Sequence, residues 1–509
     1  MSRRTTLLAS AALLASALIL SACTGGAETT DPTTAPSATG KPDADGTLVV
    51  GLVLEPDNLD IRLTSGAALE QVLIDNVYQG LVTRDQENKV VASLAKDWEI
   101  SPDGLTYTFT IEEGVTFHDG TPLTSADAVD SLTAVKNDAT FQGNGDLAAV
   151  ATIAAPDPAT VVLTLTQPDG DLLFKLTGRA GLVLKLGDTT DRNTAAIGTG
   201  PFTLGEWRQG DSIVLERYET YWGEPAGVAE VVLNYIPDFT AGVNAALDGS
   251  VDVLTAVDPT LASQLEGVDG FTLTRGLTTD KGTLAFNQSK APLDDARVRE
   301  ALRLAIDREA LLAARGGDGK SQFGPIPELD PGYEDLSDVV SFDVEKAKSL
   351  LEEAGVKDLE LTLTIPSFYG TTIPTFLVSA YDAIGVTLKV ESVEFSEWLE
   401  KVYTNKDYDL SFVLHVEARD FGNWANPEYY FTYDNAEVQK LYQESLTTTD
   451  ADKAESLLAE AAAIVASDHA ADWLYNAETI TAVGSNVSGF PVNSINVRLN
   501  LAGVTVTAE

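Results

Sequence analysis

One cysteine, Cys23, stands in this chain of 509 residues. No disulfide can form within the chain, so any fold must be held by its hydrophobic core alone. The material for a core is present, since 44% of the residues are apolar. What remains after residues 1–45 are set aside is too long for one core and implies two or three lobes. Charge narrows the possible partners. Lys and Arg number 33 against 77 Asp and Glu, a formal net charge of −44. No basic stripe is available to neutralise phosphates, which excludes nucleic-acid binding, and broad attraction to anionic lipid is excluded on the same ground. Solubility and self-repulsion are the plain consequences.

The first residues read as a targeting segment. Arg3 and Arg4 precede Leu7–Leu20, an almost unbroken run of Leu, Ala and Ile. That length suits a secretory h-region and is short for a membrane span. The run ends at Leu20-Ser21-Ala22-Cys23, which resembles a bacterial lipobox. The resemblance implies cleavage of a signal peptide (1–22) and lipidation of Cys23, with two acyl chains for stable anchoring. Residues 23–45 are rich in Thr, Ala, Gly, Pro, Ser and Asp without apolar period. They read as a flexible tether with a reach of roughly 25 Å.

Folded structure is expected from Thr47, where an apolar run to Leu54 suits a strand buried on both faces. Leu105, Tyr107, Phe109 and Ile111 alternate with threonines, the period of a half-buried strand. From Asp294 the period changes. Val298, Ala301, Leu302, Ala305 and Ile306 share one helical stripe, which Asp294 or Asp295 can cap. A second helix starts at Asp343 and stops at Gly355. A strand over Leu359–Ile365, a helix around Phe376–Ala383 and a strand over Val386–Val390 follow. Helix and strand in alternation predict an α/β fold with parallel pairing in this half.

Several strings then carry a resemblance. They are Asn76-Val-Tyr-Gln-Gly-Leu81, Ala92-Ser-Leu-Ala-Lys-Asp-Trp98, Gly114-Val-Thr-Phe-His-Asp-Gly-Thr-Pro122, Gly198-Thr-Gly-Pro-Phe202, Arg297-Val-Arg-Glu-Ala-Leu302 with Ala305-Ile-Asp-Arg308, and Asp472-Trp-Leu-Tyr-Asn476. In this order they resemble the family 5 extracellular solute-binding proteins of ABC importers, which include oligopeptide-, dipeptide- and nickel-binding components. The match spans about residues 47–490.

The resemblance implies a two-lobed periplasmic-binding-protein-like fold with an extra subdomain in lobe one and a ligand cleft between the lobes. Lobe one would comprise 46–283, with the subdomain at about 81–195; lobe two 284–475; and 476–509 would return to lobe one. The chain would cross between lobes near Leu284–Asn287 and Trp473–Asn476. The implied function is capture of short peptides or peptide-like solutes outside the cell and delivery to a membrane permease, by a monomer anchored through Cys23 to the outer face of the cytoplasmic membrane. Neither cofactor nor resident metal is expected.

The loop Leu414–Pro427 follows a predicted strand, and α/β lobes bind ligands beyond the carboxyl ends of strands. Peptide-binding relatives place there an aspartate that holds the peptide ammonium group, and Asp420 is the residue that matches. Arg419 either binds a carboxylate or pairs with Glu417. Trp424 either floors the pocket with Phe421 or packs inward. Dipeptide-binding relatives carry an arginine in the loop after the strand matching Leu359–Ile365. Here Pro366–Thr372 contains no basic residue, which speaks against a dipeptide. Tyr369 of that loop and Asn287 at the crossing complete the candidate cleft. The alternative of a chelated metal such as nickel would use His415 with Arg419. His118, His415 and His469 lie far apart with no paired spacing, and His118 reads as a turn residue. A surface peptide receptor uncoupled from transport is a further alternative. Catalysis is not expected, since no nucleophile elbow, HExxH, phosphate loop or CxxC is present.

Overall fold

The computed structural model describes residues 40–495 and 498–507. Cys23, the signal segment and most of the tether lie outside the described residues. Among the described residues no helix is long and apolar enough to cross a membrane.

A large sheet runs through the protein. Its strands lie in the order Thr387–Val393, Glu360–Pro366, Leu410–His415, Phe271–Phe286, Ala471–Gly484, Val253–Leu254, Thr47–Leu52, Glu230–Tyr235, Ser212–Arg217 and Phe202–Arg208. Glu360–Pro366 pairs in parallel with both neighbours, as the alternation of helix and strand predicts. The capping residues act as expected. Asp295 caps Ala296–Leu304 by accepting from Arg297 N, and Asp343 caps Val344–Glu353 by accepting from Lys346 N. Gly355, at φ 73°, ends the second helix in a left-handed conformation that costs glycine little.

Two cores sit on either side of this sheet's middle. One gathers Leu48, Val50, Val77, Phe202, Leu233 and Leu501. The other gathers Leu284, Phe286, Leu302, Leu363, Phe412 and Leu474. The two longest strands, Phe271–Phe286 and Ala471–Gly484, run through both halves side by side. Their register slips between Leu277 and Lys281. There Asn476 Nδ2 donates to Thr278 O at 3.0 Å and to Asp280 O at 2.9 Å, so the carbonyls freed by the slip stay satisfied.

A separate four-stranded antiparallel sheet orders Ala95–Ile100, Thr106–Ile111, Thr160–Leu165 and Val150–Asp157. Tyr107, Phe109 and Ile111 enter its core, on the face that their alternation marks. His118 is a turn residue. Its Nδ1 accepts from Gly198 N at 3.2 Å, and its Nε2 lies 3.0 Å from Gly200 O. A Cβ on Gly198 would come within 1.8 Å of Val77 O, so only glycine fits this approach.

A buried ionic cluster joins Arg303, Arg308 and Asp472. Asp472, fully buried, receives Arg303 Nε at 3.3 Å and Arg308 from the other side. Arg303 donates further to Ala466 O and Phe323 O and lies over Trp473. Burial pulls its pKa down to about 10 against the raising effect of Asp472.

Along one edge the lobes touch. Asn88 Nδ2 donates to Leu329 O and to Asp330 Oδ1, both at 3.1 Å, and Gly170 N donates to Leu446 O at 2.8 Å. Beside this edge lies a cavity of about 240 Å³ between Tyr107, Pro168 and Leu173 on one side and Ile326, Tyr442 and Leu446 on the other.

Candidate functional site

The larger cavity between the lobes measures about 770 Å³. Arg84, Asp171 and Phe174 face it from one side, Glu417 and Arg419 from the loop after Leu410–His415, and Asp280 from the slipped segment of the long strand. Its size falls within the range of small-molecule sites.

The loop after Leu410–His415 supplies one wall through Val416–Arg419. Arg419 takes a left-handed conformation, φ 55°, and Asp420–Asn423 form one short helical turn. The left-handed residue turns the chain sharply. Glu417 and Arg419 face this cavity, while Asp420 borders the smaller one and meets Lys281. Lys281 is 2% exposed. Its Nζ lies 3.0 Å from Asp420 Oδ1 and donates to Glu417 O at 2.8 Å and Thr279 O at 3.0 Å, which uses all three ammonium donors. Burial raises the Asp420 pKa, and Lys281 opposes that rise. The Asp420 carboxylate, expected to hold a solute ammonium group, is thus already engaged at Oδ1 by the protein's own ammonium.

Asp330 lies close by. Its Oδ2 accepts from Arg419 N at 2.7 Å, and burial pushes its pKa up to about 6 against the lowering effect of Lys281. Asp280 is also raised to about 6, by burial first and by Glu417, with Lys281 opposing. Asp280 and Glu417 are the acids that face the cavity near this loop.

Other expected site residues serve the lobe itself. Trp424 packs inward, stacked on Phe431 at 3.9 Å and meeting Trp473 edge-on at 5.2 Å. Phe421 is buried against Tyr442 and borders the smaller cavity. The Asn287 side chain donates to Lys406 O and Tyr408 O, both at 2.9 Å, and is fully buried. Tyr369 Oη accepts from Leu414 N at 2.8 Å and so braces the strand that carries the loop. His415 Nε2 lies 2.8 Å from Tyr430 Oη, and burial lowers its pKa to about 4, with Lys281 pushing the same way.

His415, Glu417 and Asp420 come within 4.8 Å of one another. The Lys281 ammonium between Asp420 and the Glu417 carbonyl opposes a divalent ion there, because a cation would have to displace it. Sequence reasoning missed Lys281, Arg84, Asp171, Phe174 and Asp280. The one available signal was Lys281 itself, a lone cation just ahead of the apolar run Gly282–Phe286.

The chain belongs to the bacterial extracellular solute-binding proteins of family 5, whose middle-region model matches residues 89–437. It is 25% identical to the oligopeptide-binding protein AppA of Bacillus subtilis over 527 aligned positions, covering 96% of each chain. It is 27% identical to the dipeptide-binding protein of Escherichia coli over 370, covering 66% of this chain and 69% of that one. In fold it matches the ABC transporter substrate-binding protein CtaP of Listeria monocytogenes with a TM-score of 0.81 and 20% identity, over 92% of this chain and all of that one. The family is one of solute-binding proteins, not enzymes, and its members act outside the cytoplasm.

Proposed function

We propose that this protein captures a short peptide or peptide-like solute outside the cell, closes its lobes over it, and delivers it to the permease of an ABC importer. The observation that carries the reading is the cavity of about 770 Å³ with walls from both lobes and charges of both signs. A peptide bears both signs, and the relatives named above are dipeptide- and oligopeptide-binding proteins. With Asp420 engaged by Lys281, Asp280, Glu417 and Asp146 are the carboxylates on this cavity outside an ion pair and open to a solute ammonium. Ligand that travels with the purified protein, identified by native mass spectrometry, is the direct test. That ligand, added back to the stripped protein, is expected to raise the melting temperature, because a solute bound by the native state stabilises it by about 2.7 kcal/mol at a hundredfold excess over Kd. Small-angle scattering is expected to show a smaller radius of gyration with it. An unchanged scattering curve at saturation would count against lobe closure.

The reading includes a lipid anchor at Cys23. Cys23→Ser is expected to release the protein from the membrane fraction with its melting temperature unchanged, since the tether separates Cys23 from the core. Retention in the membrane at the wild-type level would refute the anchor. Loss of solute uptake on gene deletion is the expected sign of import; intact uptake would favour a receptor uncoupled from transport.

A further inference from the structure

The cavity of about 240 Å³ beside the Gly170–Leu446 contact is a second enclosure, apart from the larger one. Two sides of the molecule wall it. Tyr107, Pro168 and Leu173 stand on one side. On the other, the helix Ala436–Thr447 brings Tyr442 and Leu446, and the helix Ala451–Ser467 brings Ala454 and Leu458. Asp171 and Arg419 border both cavities, and their ion pair at 3.7 Å stands between the two. The far end opens to solvent, because Thr447, Thr449, Ala451 and Glu455 line the cavity and are exposed.

Size and lining suit a ring. An apolar cavity of about 150 Å³ holds benzene, and this one is larger. Tyr107, Phe421 and Tyr442 put aromatic surface on its wall, which rings meet edge-on or offset. Charge disfavours an acid. Asp169, Asp171, Asp330, Asp420 and Glu455 border the cavity, and Arg419 is the one cation among the lining residues. Lys175 holds Asp169 at 2.8 Å, Arg419 faces Asp171, and Lys281 holds Asp420 at 3.0 Å. Asp330 accepts from two uncharged donors, Asn88 Nδ2 and Arg419 N. Glu455, at the mouth, forms no ion pair among the described residues. The surplus is negative, so a cation complements it.

We propose that this cavity binds a small aromatic amine of one or two rings, its ring between the apolar walls and its ammonium at the mouth beside Glu455. The site is separate from the larger cavity and does not depend on the peptide reading. Its occupant touches both sides of the contact edge, so binding is sensitive to how the two sides are set against each other.

The test is a thermal-shift titration near neutral pH with tryptamine, a cation, and indole-3-acetate, an anion with the same rings. Tryptamine is expected to raise the melting temperature of the wild type, and indole-3-acetate to leave it unchanged. Ala454→Trp, which fills the cavity from its helix, is expected to abolish the tryptamine shift. Ala451→Trp, at the exposed mouth, carries the same test if Ala454→Trp does not fold. Glu455→Gln is expected to weaken tryptamine binding by about 1.5- to 5-fold, the worth of an exposed ion pair. No tryptamine shift in the wild type, or an equal shift in the filled variants, overturns the site. Equal shifts from the two indoles overturn the choice of an amine, and unchanged affinity in Glu455→Gln overturns the placement of its ammonium. Displacement of tryptamine by a pool of tetrapeptides of Ala, Leu, Phe and Ser would make the cavity a pocket of the solute site and overturn its independence. A pool that leaves tryptamine bound supports it.

Discussion

Asp472→Ala is expected to destabilise the protein by about 3–5 kcal/mol, the cost of removing one partner from a buried ion pair. The wild-type carboxylate serves two guanidiniums, Arg303 and Arg308, and none of the three groups meets solvent appreciably. Without it, two buried cations face each other uncompensated. Their backbone partners, Ala466 O, Phe323 O and Gln322 O, hold them in place and prevent escape to water. Urea unfolding monitored by tryptophan fluorescence reads the effect, since Trp473 lies under Arg303. Adding Arg308→Met to Asp472→Ala is expected to recover part of the loss, because the second change removes one of the stranded charges. Strict additivity would mean that the two groups do not interact.

Lys281→Met is expected to cost a similar amount, about 3–5 kcal/mol at neutral pH, by leaving Asp420 unpaired in the interior. The pH dependence gives the signature. Burial raises the folded-state pKa of both Asp420 and Asp330, and Lys281 holds both down. Without Lys281 both rise further. A carboxyl with a raised folded-state pKa keeps its full stability below the unfolded value, about 3.9, and loses it as pH climbs through the folded one. The deficit of the variant is therefore expected to be largest near pH 7 and to shrink as pH falls toward 4. Asp420→Asn in the Lys281→Met background is expected to restore much of the loss at neutral pH. A deficit independent of pH would instead assign the cost to lost packing of the lysine stem.

These two sites also show where sequence reading stops. Helix starts were legible because an N-cap acts within three residues: Asp295 and Asp343 cap the helices that their positions announce. Parallel pairing of Glu360–Pro366 with Thr387–Val393 followed from the helix between them. The inward face of Tyr107, Phe109 and Ile111 followed from alternation alone. The loop that carries Glu417 and Arg419 could be located because it follows a strand end. The direction of each side chain on it could not, since that depends on one left-handed residue, Arg419, and on partners from remote segments. Asp420 reads from sequence as an open clamp until Lys281, on a different strand, is brought beside it. Trp424 likewise shows its direction only when Phe431 and Trp473 close around it. Arg84 gave no local signal, because its place on the cavity follows from the folding of remote segments around it.

The edge where Asn88 meets Asp330 is tied to the cavity at two points: Arg84 donates to Asn88 Oδ1, and Arg419 N donates to Asp330 Oδ2. Asn88 grips Asp330 and the Leu329 carbonyl, and Gly170 bonds to Leu446 through main-chain atoms, where a Cβ would come within 3.1 Å of Leu446 O. Glu417, Asp280 and Phe174 take no part in those bonds. Exchanging Glu417, Asp280 or Phe174 therefore reshapes the cavity wall and leaves that fastening alone, whereas a change at Arg84 reaches it through Asn88.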